Sequence, residues 1–280
     1  MTISLEAKNR KEVEKQLKLT IINWDDIVKV STDQFVFMTL YSNLKRTDLL
    51  QYLPSDLVSY MEYLSKINRE RNEKIIAQAK ELNSLLLSYN IRPLFLKGTG
   101  NLLAGLYEDI SERMVGDIDF LLSKEDYTKA IRILREFGYS ELENQKYYFP
   151  ETRHYRRLQK EDSIAALEIH KEIILEKYTN EFNYNFVEKD SQIIKEVAVL
   201  SYANKLNLSI IANQINDRDF YYKTIALRNA YDVFLLSKKT NAKIGIYISE
   251  ENRISLNLGT SAFSSIIFSN PSPMETARKI

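Results

Sequence analysis

The stretch from Leu94 to Leu122, LFLKGTGNLLAGLYEDISERMVGDIDFLL, constrains the chain more than any other. Asp117 and Asp119 lie inside an apolar run, bordered by Val115, Phe120, Leu121 and Leu122. A strand advances about 3.3 Å per residue and alternates its faces, so both aspartates project from one side while Ile118 points to the other. Buried carboxylates are costly unless paired or bound to a cation. A folding core has no use for such a pair, whereas a divalent ion resolves the conflict.

The same stretch holds four of the chain's seven glycines, Gly98, Gly100, Gly105 and Gly116. Ile91 to Leu96 reads as a short strand that Lys97-Gly98-Thr99-Gly100 breaks before a helical run from Asn101 to Tyr107. A strand–glycine–helix junction offers backbone N–H groups and the positive end of a helix dipole to an anion, with phosphate the natural guest. Thr99 adds a hydroxyl there, and Lys97 and Arg113 add full charges. Together the two halves describe a site for a nucleoside triphosphate and its magnesium.

Lys97-Gly98 before a short helix, Arg113 four residues ahead of Asp117-Ile118-Asp119, a helix ending in Phe137-Gly138-Tyr139, and a later Leu167-Glu168-Ile169-His170 resemble a known family. It is the uncharacterised nucleotidyltransferase family within the DNA polymerase β superfamily. The resemblance runs from about Trp24 to about Leu236. It implies an α+β fold in which a small mixed sheet, the polymerase-β-like nucleotidyltransferase core, is flanked by N- and C-terminal helical segments. It also implies a glycine–serine or glycine–threonine turn, matched by Gly98-Thr99, an Asp-x-Asp pair, matched by Asp117 and Asp119, and a third carboxylate on a later strand. Glu168 is the candidate for the third, a departure from the aspartate found in much of the superfamily. Asp117, Asp119 and Glu168 are thus the expected catalytic and metal-binding set, with Lys97, Gly98, Thr99, Arg113 and His170 beside the nucleotide.

Several of these residues have structural alternatives. Arg113 also fits a loop ion pair with Glu112 or Asp109, and His170 a satisfied structural histidine. The strip Arg153, His154, Arg156 and Arg157 fits either an RNA-phosphate contact or a solvated hairpin surface. Lys223, Arg228 and Asp232 are candidates to cover the base and ribose, or else an ordinary interhelix ion pair.

Composition narrows the chemistry. The chain has no cysteine and two histidines, which excludes disulfides, thiolate zinc sites and three-histidine centres. Oxygen ligands remain, and these favour Mg2+ or Mn2+. With 39 basic against 38 acidic residues, no global field gathers nucleic acid. No run approaches the ~18 to 20 apolar residues of a membrane span, and the first residues lack a signal-peptide core. A cytoplasmic protein with no membrane partner is the expectation.

Four regions follow: an N-terminal helical region over 1–90, the catalytic core over 91–175, a C-terminal helical region over 176–240 and a tail of uncertain structure over 241–280. Ser31 and Thr32 read as caps between two short helices, and Pro54-Ser55 opens a long helix to about Tyr89. Ser123 to Asp126 starts a helix that Gly138 ends. Tyr147 to Lys160 and Ser163 to Lys171 read as paired antiparallel strands, with Asp190 to Asn213 and Asp219 to Lys238 helical beyond them.

The expected reaction transfers a nucleoside monophosphate from a nucleoside triphosphate, ATP being the first choice, to an acceptor hydroxyl. Two metals held by three carboxylates suit it, one activating the acceptor and one neutralising the leaving group. The acceptor is left open among an RNA or tRNA end, a protein and a small molecule. The superfamily also includes toxins and defence enzymes. The alternative is a non-catalytic, nucleotide-sensing or antitoxin-like subunit of the same fold.

Overall fold

The computed structural model describes residues 7–19, 21–142, 153–174, 182–212 and 226–240. The tail over 241–280, Lys223, and the outer parts of the strand expected from Tyr147 and the helix expected from Asp219 lie outside them. The described residues form an α+β architecture, a seven-stranded mixed sheet with helices on either side of it in sequence.

Three helices open the chain: α1 (Ala7–Leu19), α2 (Trp24–Asp33) and α3 (Phe37–Arg46). Ser31 caps nothing. It lies inside α2 and donates to the Ile27 carbonyl at 2.6 Å, and the break comes at Phe35, whose φ of 54° no helix accepts. The long helix α4 (Ser55–Ser88) follows Pro54, which presets the entry angle and lacks only an N–H that would go unbonded there. At 1.5 Å per residue it is about 50 Å long, enough to serve two cores. Its Met61 packs with Phe37, Tyr41 and Leu44 of α3, while Ile75, Ala79, Leu82 and Leu86 cover the sheet.

The strands are β1 (Leu94–Phe95), β2 (Asp117–Leu121), β3 (Ser140–Glu141), β4 (Leu158–Gln159), β5 (Ala166–His170), β6 (Gln192–Ile194) and β7 (Val197–Val199). Their spatial order is β3-β4-β5-β2-β1-β7-β6. β2 runs parallel to β5 and antiparallel to β1, and β1 runs parallel to β7. Period-two alternation divides the side chains cleanly. Phe95, Ile118, Phe120, Leu167, Ile169, Val197 and Val199 enter the core beneath α4, while Leu94, Leu96, Leu121 and Ala198 enter a smaller one on the opposite face. Asp117, Asp119, Glu168 and His170 belong to that second face.

The helix expected over Asp190 to Asn213 is corrected in its first half. Residues 192–199 are the β6–β7 hairpin, and only α8 (Tyr202–Ile211) is helical. The sheet therefore draws two strands from the region expected to be wholly helical. Ile193, Ile194, Val197 and Val199 are β-branched, and Lys195 and Glu196 make a two-residue turn with φ of 48° and 71°. The remaining helices are α5 (Lys97–Leu103), α6 (Lys124–Glu136), α7 (Tyr184–Lys189) and α9 (Leu227–Ser237). Ser123 caps α6 by accepting from the Asp126 N–H at 3.1 Å, and Gly138, at φ 90°, follows its end. No helix among the described residues is long and apolar enough to cross a membrane.

Candidate functional site

Parallel pairing of β2 with β5 sets Asp119 directly opposite Glu168, and Leu121 opposite His170. Opposed residues on neighbouring strands share a face, so the two carboxylates converge instead of lying across the sheet. His170 Nε2 sits 3.0 Å from Asp119 Oδ1 and 3.1 Å from Glu168 Oε2. Lys97 Nζ reaches the same two oxygens, donating at 2.6 and 2.9 Å. Donor atoms of Asp119, Glu168 and His170 all lie within 4.8 Å of one another, the compact grouping that a metal ion needs. Asp117 falls outside that group. Its carboxylate is 3.0 Å from the Arg157 guanidinium, which also approaches Glu168 at 3.5 Å.

The electrostatics follow from crowding opposite charges in a half-dry pocket. Burial works against the Lys97 ammonium, yet Asp119 and Glu168 outweigh it and hold the group above its ordinary value. Burial likewise works against the Glu168 carboxylate, but the His170 hydrogen bond and the Lys97 charge carry it well below the usual range. Asp117 moves the other way: burial raises it, Arg157 only partly offsets this, and Asp119 and Glu168 add to the rise.

Lys97 reaches the carboxylates from an unusual backbone. Its φ of 47° lies in the left-handed region, which costs a non-glycine residue ~1 kcal/mol or more and collects at functional sites. The turn begins α5 at Lys97, four residues before the position expected from the sequence. Two glycines let that helix sit close. A Cβ on Gly100 would stand 2.5 Å from the Phe95 carbonyl oxygen, and one on Gly98 would stand 3.0 Å from Val115 Cγ2.

The other expected residues divide. Gly98 borders the cavity in front of the carboxylates, while Thr99 is fully buried and its hydroxyl donates to the Asp117 carbonyl at 2.8 Å, securing β2. Arg113 pairs with neither Glu112 nor Asp109. Its Nε donates to Asp232 of α9 at 3.0 Å, and its Nη1 to the Met114 carbonyl at 2.6 Å. Asp232 accepts as well from Tyr107 at 2.7 Å. Glu112 is held instead by Arg46 at 2.8 Å and by the Tyr231 hydroxyl. Of the arginine strip, Arg157 faces the carboxylates and Arg153 borders the cavity, whereas Arg156 pairs with Glu141 at 3.1 Å.

The cavity measures about 460 Å³, within the range of small-molecule sites. Asp117, Asp119 and Glu168 line it, and α8 and α9 contribute Lys205, Ser209, Arg228 and Asn229. Sequence reasoning missed Lys205, whose one signal is a charge inside the apolar helix Tyr202–Ile211. It also left Arg157 undistinguished within its strip.

The carboxylate set fits a cation. Two carboxylate oxygens and an imidazole nitrogen converge, and a lysine ammonium already rests among them as a positive stand-in. The His170 nitrogen joins the oxygen ligands expected from composition. A search of curated proteins finds no match to the chain. A family model described as "uncharacterised nucleotidyltransferase" matches residues 20–267.

Proposed function

Because the chain belongs to the uncharacterised nucleotidyltransferase family, we propose that it transfers a nucleoside monophosphate from a nucleoside triphosphate, ATP by preference, to a hydroxyl of an acceptor. The observation that carries this reading is the register of β2 against β5, which aims Asp119 and Glu168 at one point with Asp117 beside them. In the reaction the acceptor oxygen bonds to the α-phosphorus, the bond from that phosphorus to the bridging oxygen breaks, and pyrophosphate leaves. Asp119 and Glu168, with Asp117 and His170 next to them, are the residues to hold Mg2+ or Mn2+. When bound, the ion supplies positive charge to the reacting phosphate and the leaving group.

The chain's own groups divide the remaining work. With Lys97 and His170 in contact, Glu168 is a weak proton acceptor, and its part is to hold the cation. Asp117, which lies outside the contacts of Lys97 and His170, is better placed to receive the acceptor's proton. Lys97 and Gly98 lie at the cavity edge where a polyphosphate would meet α5. Thr99 acts at one remove, by fixing the strand that carries Asp117 and Asp119. Arg113, neutralised by Asp232, shapes the cavity more than it charges it.

Asp119→Asn keeps the size of the side chain and removes its charge. Mixed with labelled triphosphate, Mg2+ or Mn2+ and candidate acceptors, among them tRNA, protein and small hydroxyl compounds, the wild type should label one acceptor and the variant should be at least 100-fold slower. Equal labelling by the two proteins would remove the proposed role. A second reading, a nucleotide-sensing or antitoxin-like subunit, draws on the same Lys97 contacts, which neutralise the acids from within the chain. It requires nucleotide binding with no labelling of any acceptor.

A further inference from the structure

We propose that Lys205 is the anion-recognition group of this cavity, on which a polyphosphate docks. The choice of a polyphosphate rests on the nucleotidyltransferase reading; the docking group rests on Lys205 itself. Lys205 is 3% exposed, and among the described residues its Nζ has no hydrogen-bond partner. An unpaired amine in that position is costly and serves no purpose in the packing. It nevertheless borders the same cavity as the three carboxylates, with Nζ itself closed off from solvent, so docking requires the side chain to turn into the cavity.

The surroundings of Lys205 leave its charge unanswered. On its own helix its nearest aromatic is Tyr202, whose ring centre is 5.3 Å from Nζ. From α5, which packs on α8, comes Lys97, already engaged by Asp119 and Glu168. From α9 come Arg228, which stacks on Phe35, and Asp232, which is taken by Arg113. Asp117, which also lines the cavity, is taken by Arg157. Burial alone acts on the Lys205 amine and lowers it to about 7. Near neutral pH the group is therefore divided between its charged and uncharged forms.

A ligand with clustered negative charge changes that balance. Phosphate oxygens supply the acceptors that the protein withholds, and the bound amine takes a proton and stays charged. Ser209 and Asn229 border the same cavity with neutral donors, and Arg228 adds a permanent charge. Affinity for the anion should consequently fall as pH rises through neutrality, at a place where neither the carboxylates nor a permanently charged arginine titrates.

Calorimetric titration of the full chain with inorganic tripolyphosphate, in metal-free buffers of differing ionisation enthalpy, tests this without any catalysis. Tripolyphosphate exchanges protons of its own near neutral pH, so Lys205→Arg, whose charge is permanent, is the reference. At pH 8 the wild type should take up about 0.9 proton per ligand more than Lys205→Arg, the excess falling towards zero by about pH 6. Lys205→Gln should bind at least tenfold more weakly, with no excess over Lys205→Arg. Equal proton exchange by wild type and Lys205→Arg at pH 8, undiminished affinity in Lys205→Gln, or no binding of tripolyphosphate at all would each overturn the proposal. If Lys205→Arg fails to fold, Lys205→Gln supplies the same reference. The titration needs no metal, acceptor or turnover, so a failure of the transfer reaction and a failure of this docking group remain distinguishable.

Discussion

Arg113 and Asp232 are both buried, and each is the other's counter-charge. Removing one member of such a pair leaves an uncompensated charge in a poorly solvated place, which typically costs about 3–5 kcal/mol. Asp232→Ala should lose stability on that scale in urea unfolding, whereas a loss under 1 kcal/mol would show that water reaches Arg113. Lys205 presents the opposite case. The unfolded chain keeps its proton up to the ordinary value of 10.5, while the folded chain releases it at about 7. Between those values the unfolded state holds more protons, so this group's contribution to stability rises with pH through that window. Lys205→Met should therefore stabilise the protein by roughly a few kcal/mol at pH 6 and by much less at pH 10. Thermal unfolding at the two pH values would reveal this, and an equal gain at both would refute it. The two residues also differ in how visibly the sequence announced them. Asp117 and Asp119 stood out because an apolar strand gives acids no other reason to be there. A lysine in an apolar helix has an innocent explanation, since its long stem usually carries the charge out to water.

The β6–β7 hairpin carries a turn with both central residues at positive φ, yet it uses Lys195 and Glu196 where asparagine and glycine fit without strain. Replacing the pair by Asn-Gly should raise stability by about 1–2 kcal/mol, measured by chemical denaturation. No gain, or a loss, would mean that the two side chains make contacts worth more than the strain. That choice of residues is also why the hairpin was hidden from a reading of the sequence. Ile193, Ile194, Val197 and Leu200 fit a helical stripe as well as a pair of strands, and the turn lacked the glycine or asparagine that separates the two. Where punctuation was present the elements were legible: Pro54 before α4, Ser123 before α6 and Gly138 after it. The meeting of Asp119 and Glu168 was legible in advance, because strand alternation sets the face of each acid and the family resemblance singled out Glu168 as a third carboxylate on a later strand. The partner of Arg113 was not, since Asp232 lies 119 residues away and only tertiary packing brings it near.

At the scale of the molecule, the segment between α5 and β2 is gripped from both ends of the chain. Asn68 and Asn72 of α4 donate to the carbonyls of Ser111, Ile110 and Arg113 at 2.6–2.7 Å. Thr39 of α3 donates to the Glu112 carbonyl at 2.7 Å, and Tyr231 and Asp232 of α9 hold Glu112 and Arg113 from the other side. The helical regions therefore act as a frame for the strand that bears the two aspartates. Loading the site with Mn2+ should raise the melting temperature of the wild type, by about 2.7 kcal/mol of added stability at a hundredfold excess over the dissociation constant. Asp119→Asn should show little of that rise. Lys97→Met, freed of the internal competitor, should bind the ion more tightly than wild type while being less stable without it. A variant that bound more weakly would make Lys97 an ally of the ion instead of its rival.

The ammonium of Lys97 lying between Asp119 and Glu168 means that the chain brings its own counter-ion to the place where repulsion is greatest. The acids are thus quenched within the fold, with no need of any outside cation. On the proposed function, ion loading is then an exchange of one cation for another, decoupled from chain assembly, and the lysine that departs is released beside the incoming phosphates with its charge intact.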